Sequence, residues 1–170
     1  MVPWEPGLTN VQAILCDYAE EANGKLTMVG AGTTRLPSRP QPPHPIFGAL
    51  AMLVRIPWVA TNQEQRLTIE LRVDLGVPTS LEGETSQRVP INVREQTWLP
   101  EEERGIATLR FNVGRSPNTT PGEDTLLPTV LPLYGRQVPQ LGSYFFMLTM
   151  NGEPVDRVSF QVFSPVMPQG

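Results

Sequence analysis

Side chains that could act as nucleophiles or general bases are scarce in this sequence, which contains one histidine, His44, and one cysteine, Cys16. A Ser–His–Asp or Cys–His catalytic arrangement would have to use His44. Because His44 stands between two prolines in a proline-rich stretch, we predict an exposed loop histidine with no catalytic partner. One histidine and one cysteine also fall short of the usual structural zinc ligand sets. The sequence therefore predicts no catalytic residue, no cofactor site and no metal site.

The neighbours of Cys16 are acidic, and they bear on two kinds of chemistry. A reactive thiolate needs nearby positive charge, whereas Asp17, Glu20 and Glu21 would raise the pKa of the thiol. We therefore predict an inert cysteine that packs as a small apolar residue. The three carboxylates could themselves bind calcium or serve as an acid–base pair. They flank a predicted hairpin tip and lack EF-hand spacing, so we interpret them as a solvated rim.

Aromatic and proline-rich stretches offer two further kinds of binding chemistry. Trp58 and Trp98 could form an aromatic platform on which a sugar stacks, although Trp58 could equally cap the core. Residues 37–45, PSRPQPPHP, contain the PxxP spacing of polyproline II ligands. The simpler interpretation of that stretch is a stiff crossover loop between two sheets.

The elements that would position these residues are strands. Three segments alternate apolar and polar side chains, which places one face of each strand on a core and the other in water: residues 66–74, 107–113 and 157–163. Three others are short, bounded by glycine, proline or asparagine, and apolar on both faces, and we predict strands there as well: residues 11–19, 47–57 and 142–150. No segment shows a sustained helical period.

Turn residues and prolines indicate how these strands connect. Asn23-Gly24 and Asn151-Gly152 each separate two strand candidates, and such a pair adopts the positive φ of a type I′ hairpin turn at low cost. Prolines interrupt residues 89–96 and 125–133, so we predict that these two strands lie at sheet edges. We interpret the other proline-rich stretches as long connections that cross between sheets.

Together these patterns predict an all-β chain that folds as an antiparallel, immunoglobulin-like two-sheet β-sandwich of about eight to nine strands with proline-rich crossover loops. Tyr144, in a Gly-x-Tyr sequence that enters a late strand, resembles the tyrosine corner of such domains, with its hydroxyl bonded to the preceding connection. We expect a single domain over residues 1–170, with its core at about residues 11–164.

Four blocks of the sequence resemble a known family: CDYAEEANGKLTMVGAG, VRIPWVATNQEQRLTIELRVDLG, FNVGRSP and GSYFFMLTMNGE. The Asp17-Tyr18-Ala19 triplet, the turn at residues 23–26 and the Pro57-Trp58 pair carry most of this resemblance. The family is an uncharacterised bacterial one, found mainly in high-GC Gram-positive bacteria and catalogued as a domain of unknown function. The resemblance covers residues 13–163 and implies an all-β fold, but it implies no activity, cofactor or catalytic residue.

Strands with two apolar faces predict a binding surface, because a simple sandwich needs only one apolar face on each strand. In the predicted strand at residues 47–57, Ala49, Ala51 and Leu53 point outward if the residues that alternate with them face the core. By the same alternation, Phe145 and Met147 point outward on another. Either the proline-rich loops or a second subunit or partner must cover this surface. We predict Leu53, Phe145 and Met147 as partner contacts.

The overall composition narrows the class of partner. A formal net charge of −4 argues against binding to nucleic acid, and the apolar runs are too short for a membrane span. A lone cysteine and the lack of a secretory signal favour the cytoplasm. We therefore predict a non-catalytic protein-binding or assembly module that binds a protein partner or itself. Two alternatives stay open: a carbohydrate or small-ligand module that uses Trp58 or Trp98, and a phage or capsid-like structural accessory subunit.

Overall fold

The computed structural model describes residues 9–74, 88–89, 99–101, 106–115, 117–118 and 120–165. These residues contain strands, one 3-10 turn at Trp58–Ala60 and no α-helix, which confirms the all-β prediction. None of their helical turns has the length and apolarity needed to cross a bilayer. The strands are β1 Asn10–Cys16, β2 Tyr18–Ala22, β3 Lys25–Val29, β4 Arg35–Pro37, β5 His44–Ile46, β6 Ala49–Ile56, β7 Glu64–Val73, β8 Arg88–Val89, β9 Leu99–Glu101, β10 Ile106–Asn112, β11 Thr125–Pro132, β12 Arg136–Val138, β13 Gly142–Met150 and β14 Glu153–Phe163.

The strands form several sheets, one of which curls into half a barrel. The small sheet has the antiparallel order β1-β6-β11. The large sheet has the order β4-β14-β13-β7-β10-β9, with β8 also paired to β7, and all its pairs are antiparallel except β4 with β14. Two shorter antiparallel pairs, β2–β3 and β5–β12, complete the described strands. The described residues contain fourteen strands where the sequence predicts eight or nine, so the finer sheet arrangement is not readable from periodicity alone.

The core lies between the small and the large sheet. Alternate side chains of β7 are buried from Leu67 to Val73, as their period of two predicts. They belong to one cluster with Leu50 and Met52 of the small sheet and with Phe146 of β13. Burying an aliphatic or aromatic side chain of this size stabilises the fold by about 1.5–3 kcal/mol relative to leaving it exposed. This cluster is therefore what holds the two sheets together.

Both predicted Asn-Gly hairpins are present. Asn23 and Gly24 have φ values of 53° and 71° between β2 and β3, and Asn151 and Gly152 have values of 52° and 93° between β13 and β14. Positive φ at both central positions is what a type I′ turn requires. The side chain of Asn151 also accepts a hydrogen bond from the backbone N–H of Arg66, at 2.8 Å, which ties this turn to β7.

Two further predictions are confirmed: β11 lies at a sheet edge, and the hydroxyl of Tyr144 bonds to the connection that precedes its strand. β11, which contains Pro128 and Pro132, is an edge strand of the small sheet. The other predicted edge segment, residues 89–96, lies almost entirely outside the described residues.

Tyr144 is fully buried, and its hydroxyl donates a hydrogen bond of 2.6 Å to the carbonyl oxygen of Gln140 in the preceding connection. Burial raises the pKa of this phenol.

The prediction for His44 was wrong. His44 is 5% exposed and lies in β5, where it pairs with Val138 of β12. Its Nδ1 is 2.9 Å from the carbonyl oxygen of Arg39, and because a carbonyl only accepts, Nδ1 is the donor. The flanking prolines did not keep this segment out of a strand, because a two-stranded ribbon of three residues needs few N–H donors. The proline-rich segments are thus partly strands, not only crossover loops.

Candidate functional site

The hairpin formed by β2 and β3 covers part of the outer face of the small sheet. Ala49 and Ala51 of β6 are fully buried, although they point away from the main core. They form a second cluster with Cys16 and Ala19, against which Leu26 of β3 packs. The second apolar face predicted for β6 is therefore covered at these two positions by the chain's own hairpin.

The hairpin leaves the rest of this face open as a groove with a volume of about 710 Å³. We call it the outer groove. Its floor is formed by neighbouring strands of the small sheet, where Ala51, Leu53 and Arg55 alternate along β6 and Leu126 of β11 stands opposite Arg55. The lining comes from residues 10–14 of β1, Leu26 and Met28 of β3, Ala51, Leu53, Arg55, Leu126, and Val155 and Asp156 of β14.

Apolar side chains dominate the exposed surface of the outer groove. Ile14 is 36% exposed, Met28 is 41% exposed and Leu126 is 50% exposed, while Leu53 is half-buried between them. These residues come from four different strands, so the apolar surface is contiguous across the sheet and the hairpin. Contiguous apolar surface that is rimmed by polar residues is typical of a binding site.

Two charged side chains lie in the lining of the groove. Arg55 forms an ion pair with Asp124, with a distance of 3.8 Å between Nε and Oδ2. Asp156 accepts hydrogen bonds from two backbone N–H groups, that of Ala13 at 3.0 Å and that of Arg157 at 2.8 Å. These two bonds hold the Asp156 carboxylate in a fixed position at the side of the groove.

The edge of β1 beside the groove is already occupied at three backbone groups. Along the edge of β1 that faces away from β6, the N–H of Val11 bonds to the side chain of Asn10 and the N–H of Ala13 bonds to Asp156. Further along, the carbonyl oxygen of Leu15 accepts a bond from Gly32 at 2.8 Å. Because these groups have partners, β1 offers the groove side-chain surface and not a free edge for an added strand.

The predicted contacts Leu53, Phe145 and Met147 do not lie together. Leu53 is in the outer groove, whereas Phe145 and Met147 are on the outer face of the large sheet, on the opposite side of the core. Phe145 is only 5% exposed, because the guanidinium of Arg157 lies 3.9 Å from the centre of its ring. Met147 is half-buried beside Arg157 and Glu70. That Phe145 and Met147 contact a partner stays a prediction. The charged side chains that cover these two residues do not favour it.

Trp58 is half-buried in the 3-10 turn, and one face of its ring is occupied. The guanidinium carbon of Arg115 lies 4.4 Å from the ring centre, and the Nε of Arg115 donates to the hydroxyl of Thr61 at 2.8 Å. A stacking sugar would therefore have to use the other face of the indole or displace Arg115. Trp98, the second half of the predicted platform, lies outside the described residues.

Cys16 is buried, as predicted for an inert thiol. Its sulfur donates a hydrogen bond of 3.3 Å to the carbonyl oxygen of Ala49. Burial raises the pKa of the thiol, and the charge of Asp17 adds to the rise. Glu20 and Glu21 are exposed at the hairpin, where Glu20 bonds to Tyr18 and Glu21 accepts from the N–H of Gly24. Within the described part of the chain, no three His, Cys, Asp or Glu side chains come together as a metal site.

The sequence prediction missed most of the groove. Leu26 and Met28 alternate along β3 and share a face with Ala19 in the hairpin register, so the pattern indicated which hairpin face is apolar but not what it covers. Leu126 lies in the predicted edge strand at residues 125–133, but the prolines that interrupt this strand leave no alternation that would indicate which of its side chains form a surface. Asp156 could not be found, because its bond to Ala13 spans 143 residues of sequence.

Comparison with known proteins adds family membership and no activity. A family model described as "Family of unknown function (DUF6941)" matches residues 11–163. No curated protein matches the sequence.

Proposed function

Because the chain belongs to DUF6941, a family of unknown function, we propose its role from the outer groove alone: a non-catalytic module that binds a protein partner there. The observation that carries this proposal is the incomplete covering of the small sheet. The hairpin buries Ala49 and Ala51 but stops short of Leu53, which leaves contiguous apolar surface open to solvent.

The physical argument is the free energy of removing that surface from water. Each square ångström of apolar surface that a partner buries contributes about 25 cal/mol in favour of association, against the entropy that binding costs. Ile14, Met28 and Leu126 are exposed together and lie around a concave surface, so a convex apolar group can contact them at once. Val59, although 64% exposed, lies away from the groove in the 3-10 turn. Concavity distinguishes the groove from such scattered apolar residues.

The test is affinity capture from a lysate of the native host with three forms of the protein: wild type, Leu126→Asp and Val59→Asp. Both substitutions place a carboxylate at an exposed apolar position, but only the first lies in the groove. We expect a protein that is retained by wild type and by Val59→Asp and is lost with Leu126→Asp. Capture that does not respond to Leu126→Asp would contradict the proposal.

We also infer that the small and large sheets form an immunoglobulin-like sandwich. Two observations support this inference: the shared core cluster, and the bond from Tyr144 to Gln140, which has the form of a tyrosine corner. We further propose that the module works in the cytoplasm, where the free thiol of Cys16 would remain reduced. Self-association and a role as an accessory subunit of a larger particle are alternative assemblies, and light scattering of the purified protein would reveal either.

A further inference from the structure

The size and charge of the outer groove favour one class of partner. We propose that the groove binds a short protein segment that carries one or two large apolar side chains next to a lysine or arginine. This inference rests on the proposed function and deepens it, because it names the chemistry of the partner.

The area of the groove floor is much smaller than one side of a stable dimer interface. The uncovered floor begins beyond Ala51 and extends from Leu53 to Arg55 across three strands, which is roughly 7 Å by 14 Å, or about 100 Å². A stable interface buries about 800 Å² on each partner. One or two aromatic or large aliphatic side chains, which bury about 150–250 Å² each when aromatic, are enough to fill the floor.

The neighbouring apolar residues do not enlarge this floor. Tyr18 and Val29 are exposed and pair across the hairpin, but they lie on the hairpin face opposite to that of Ala19 and Met28. A flat surface on a second copy of the chain could therefore not contact both sets of residues at once. The walls of the outer groove suit a protruding side chain better than a flat surface. Met28 in the wall is unbranched and adapts its conformation to different apolar shapes.

The charge of the groove selects for a basic residue beside the apolar ones. Arg55 already has Asp124 as an acidic partner. Asp156 accepts only from backbone N–H groups among the bonds found in the described residues, and no basic side chain there forms an ion pair with it. The guanidinium of the adjacent Arg157 is directed to the other side of β14, where it bonds to Asp74 at 3.0 Å. A lysine or arginine of the partner would supply the missing positive charge, and an acidic residue would be repelled.

The experiment uses a library of eight-residue peptides with four randomised central positions, sorted for binding to wild type, Asp156→Asn and Leu126→Asp. Asparagine keeps one of the two side-chain oxygens, and this oxygen can accept the N–H of Ala13, so Asp156→Asn removes the charge and preserves the bond to β1. We expect wild type to enrich Leu, Phe or Met next to Lys or Arg. With Asp156→Asn, the basic preference should disappear and the affinity of the best peptide should fall about fivefold, while the apolar preference remains.

The outcomes separate this inference from the proposed function. Peptides that bind in a Leu126-dependent way but show no basic preference, or an acidic one, would overturn the inference alone. Peptides that bind Leu126→Asp as tightly as wild type would overturn the proposed function as well. A doubled mass in light scattering that Leu126→Asp abolishes would identify a second copy as the occupant and overturn the inference. Matching thermal transitions of the three forms provide the control for folding.

Discussion

The outer faces of the two main sheets both carry apolar side chains, and the chain covers them in different ways. On the large sheet, charged side chains do the covering. Arg157 lies on the ring of Phe145 and bonds to Asp74, while Arg72 bonds to Glu70 beside Met147. Long basic side chains can cover apolar surface with their stems while their charged ends remain in water. The large sheet thereby closes its outer face with residues of its own strands.

On the small sheet, a separate element does the covering. The β2–β3 hairpin packs Ala19 and Leu26 on Ala49 and Ala51 but leaves Leu53 only half-buried. Leu53 and Leu126 lie beyond it and line the outer groove. The comparison shows that long side chains can cover the apolar face of a strand along its whole length. A hairpin covers only the part of the sheet against which it packs. The uncovered remainder is the surface available to a partner.

The largest expected effect comes from placing a charge beneath the hairpin. Ala51→Asp would bury a carboxylate without a partner, and we expect it to lower the free energy of unfolding by about 3–5 kcal/mol. Urea denaturation measures the loss. Val59→Asp, at a site exposed to solvent, is the control and should change the stability by about 0.5 kcal/mol or less. Equal losses in the two variants would mean that the hairpin does not cover Ala51 in solution.

Two glycines that follow the hairpin allow a finer comparison. Gly30 and Gly32 have φ values of 64° and 87°, so an alanine is strained at either position. A Cβ at Gly30 would also collide with the Asp17 carboxylate, whereas at Gly32 it would meet no atom within 4 Å. We expect Gly32→Ala to cost about 1 kcal/mol and Gly30→Ala about 2 kcal/mol. Thermal unfolding measures both, and a larger loss for Gly32→Ala would refute the packing of Asp17 against this turn.

On the large sheet, removing the covering side chain should make its face resemble that of the small sheet. Arg157→Ala exposes the ring of Phe145 and deletes the bond to Asp74, and we expect a loss of about 1 kcal/mol in stability. Binding of an apolar fluorescent dye should rise. Arg157→Lys keeps a positive charge above the ring and is the matched variant, so it should retain most of the stability. Dye binding that is unchanged in Arg157→Ala would show that Arg157 is not the cover.

The smallest effect concerns the pH dependence of the covered thiol. Because burial raises the pKa of Cys16 in the folded chain, its stabilising contribution is complete below the pKa of the unfolded thiol. That contribution is lost as the pH rises through the folded value, since the unfolded chain releases the proton more readily. We expect the stability of wild type to fall more steeply than that of Cys16→Ala in this alkaline range. Parallel curves for the two proteins would count against a buried thiol.

Local patterns predicted local structure well. The alternation in residues 66–74 became β7, both Asn-Gly pairs became hairpin turns, and Tyr144 bonded to the connection before it. Each of these features depends on residues that are close in sequence, or on a pairing that hydrophobic alternation constrains.

The features that the sequence did not predict depend on distant contacts. His44 is buried because β12, far along the chain, pairs with β5. The hairpin covers β6 because it folds back onto the small sheet. Alternation of side chains in β3 shows which face of the hairpin is apolar but not which strand that face covers. The groove exists only where the hairpin, β14 and the small sheet meet, so its residues share no common pattern in the sequence.

The protected edges of the small sheet have a consequence for how this chain behaves at high concentration. Pro128 and Pro132 lie on one edge strand, and Asn10, Asp156 and Gly32 bond to the other. Copies of the chain that meet through these edges have few backbone groups with which to template one another into a growing fibril. The apolar groove can therefore stay open to solvent without making the small sheet a seed for amyloid-like polymerisation.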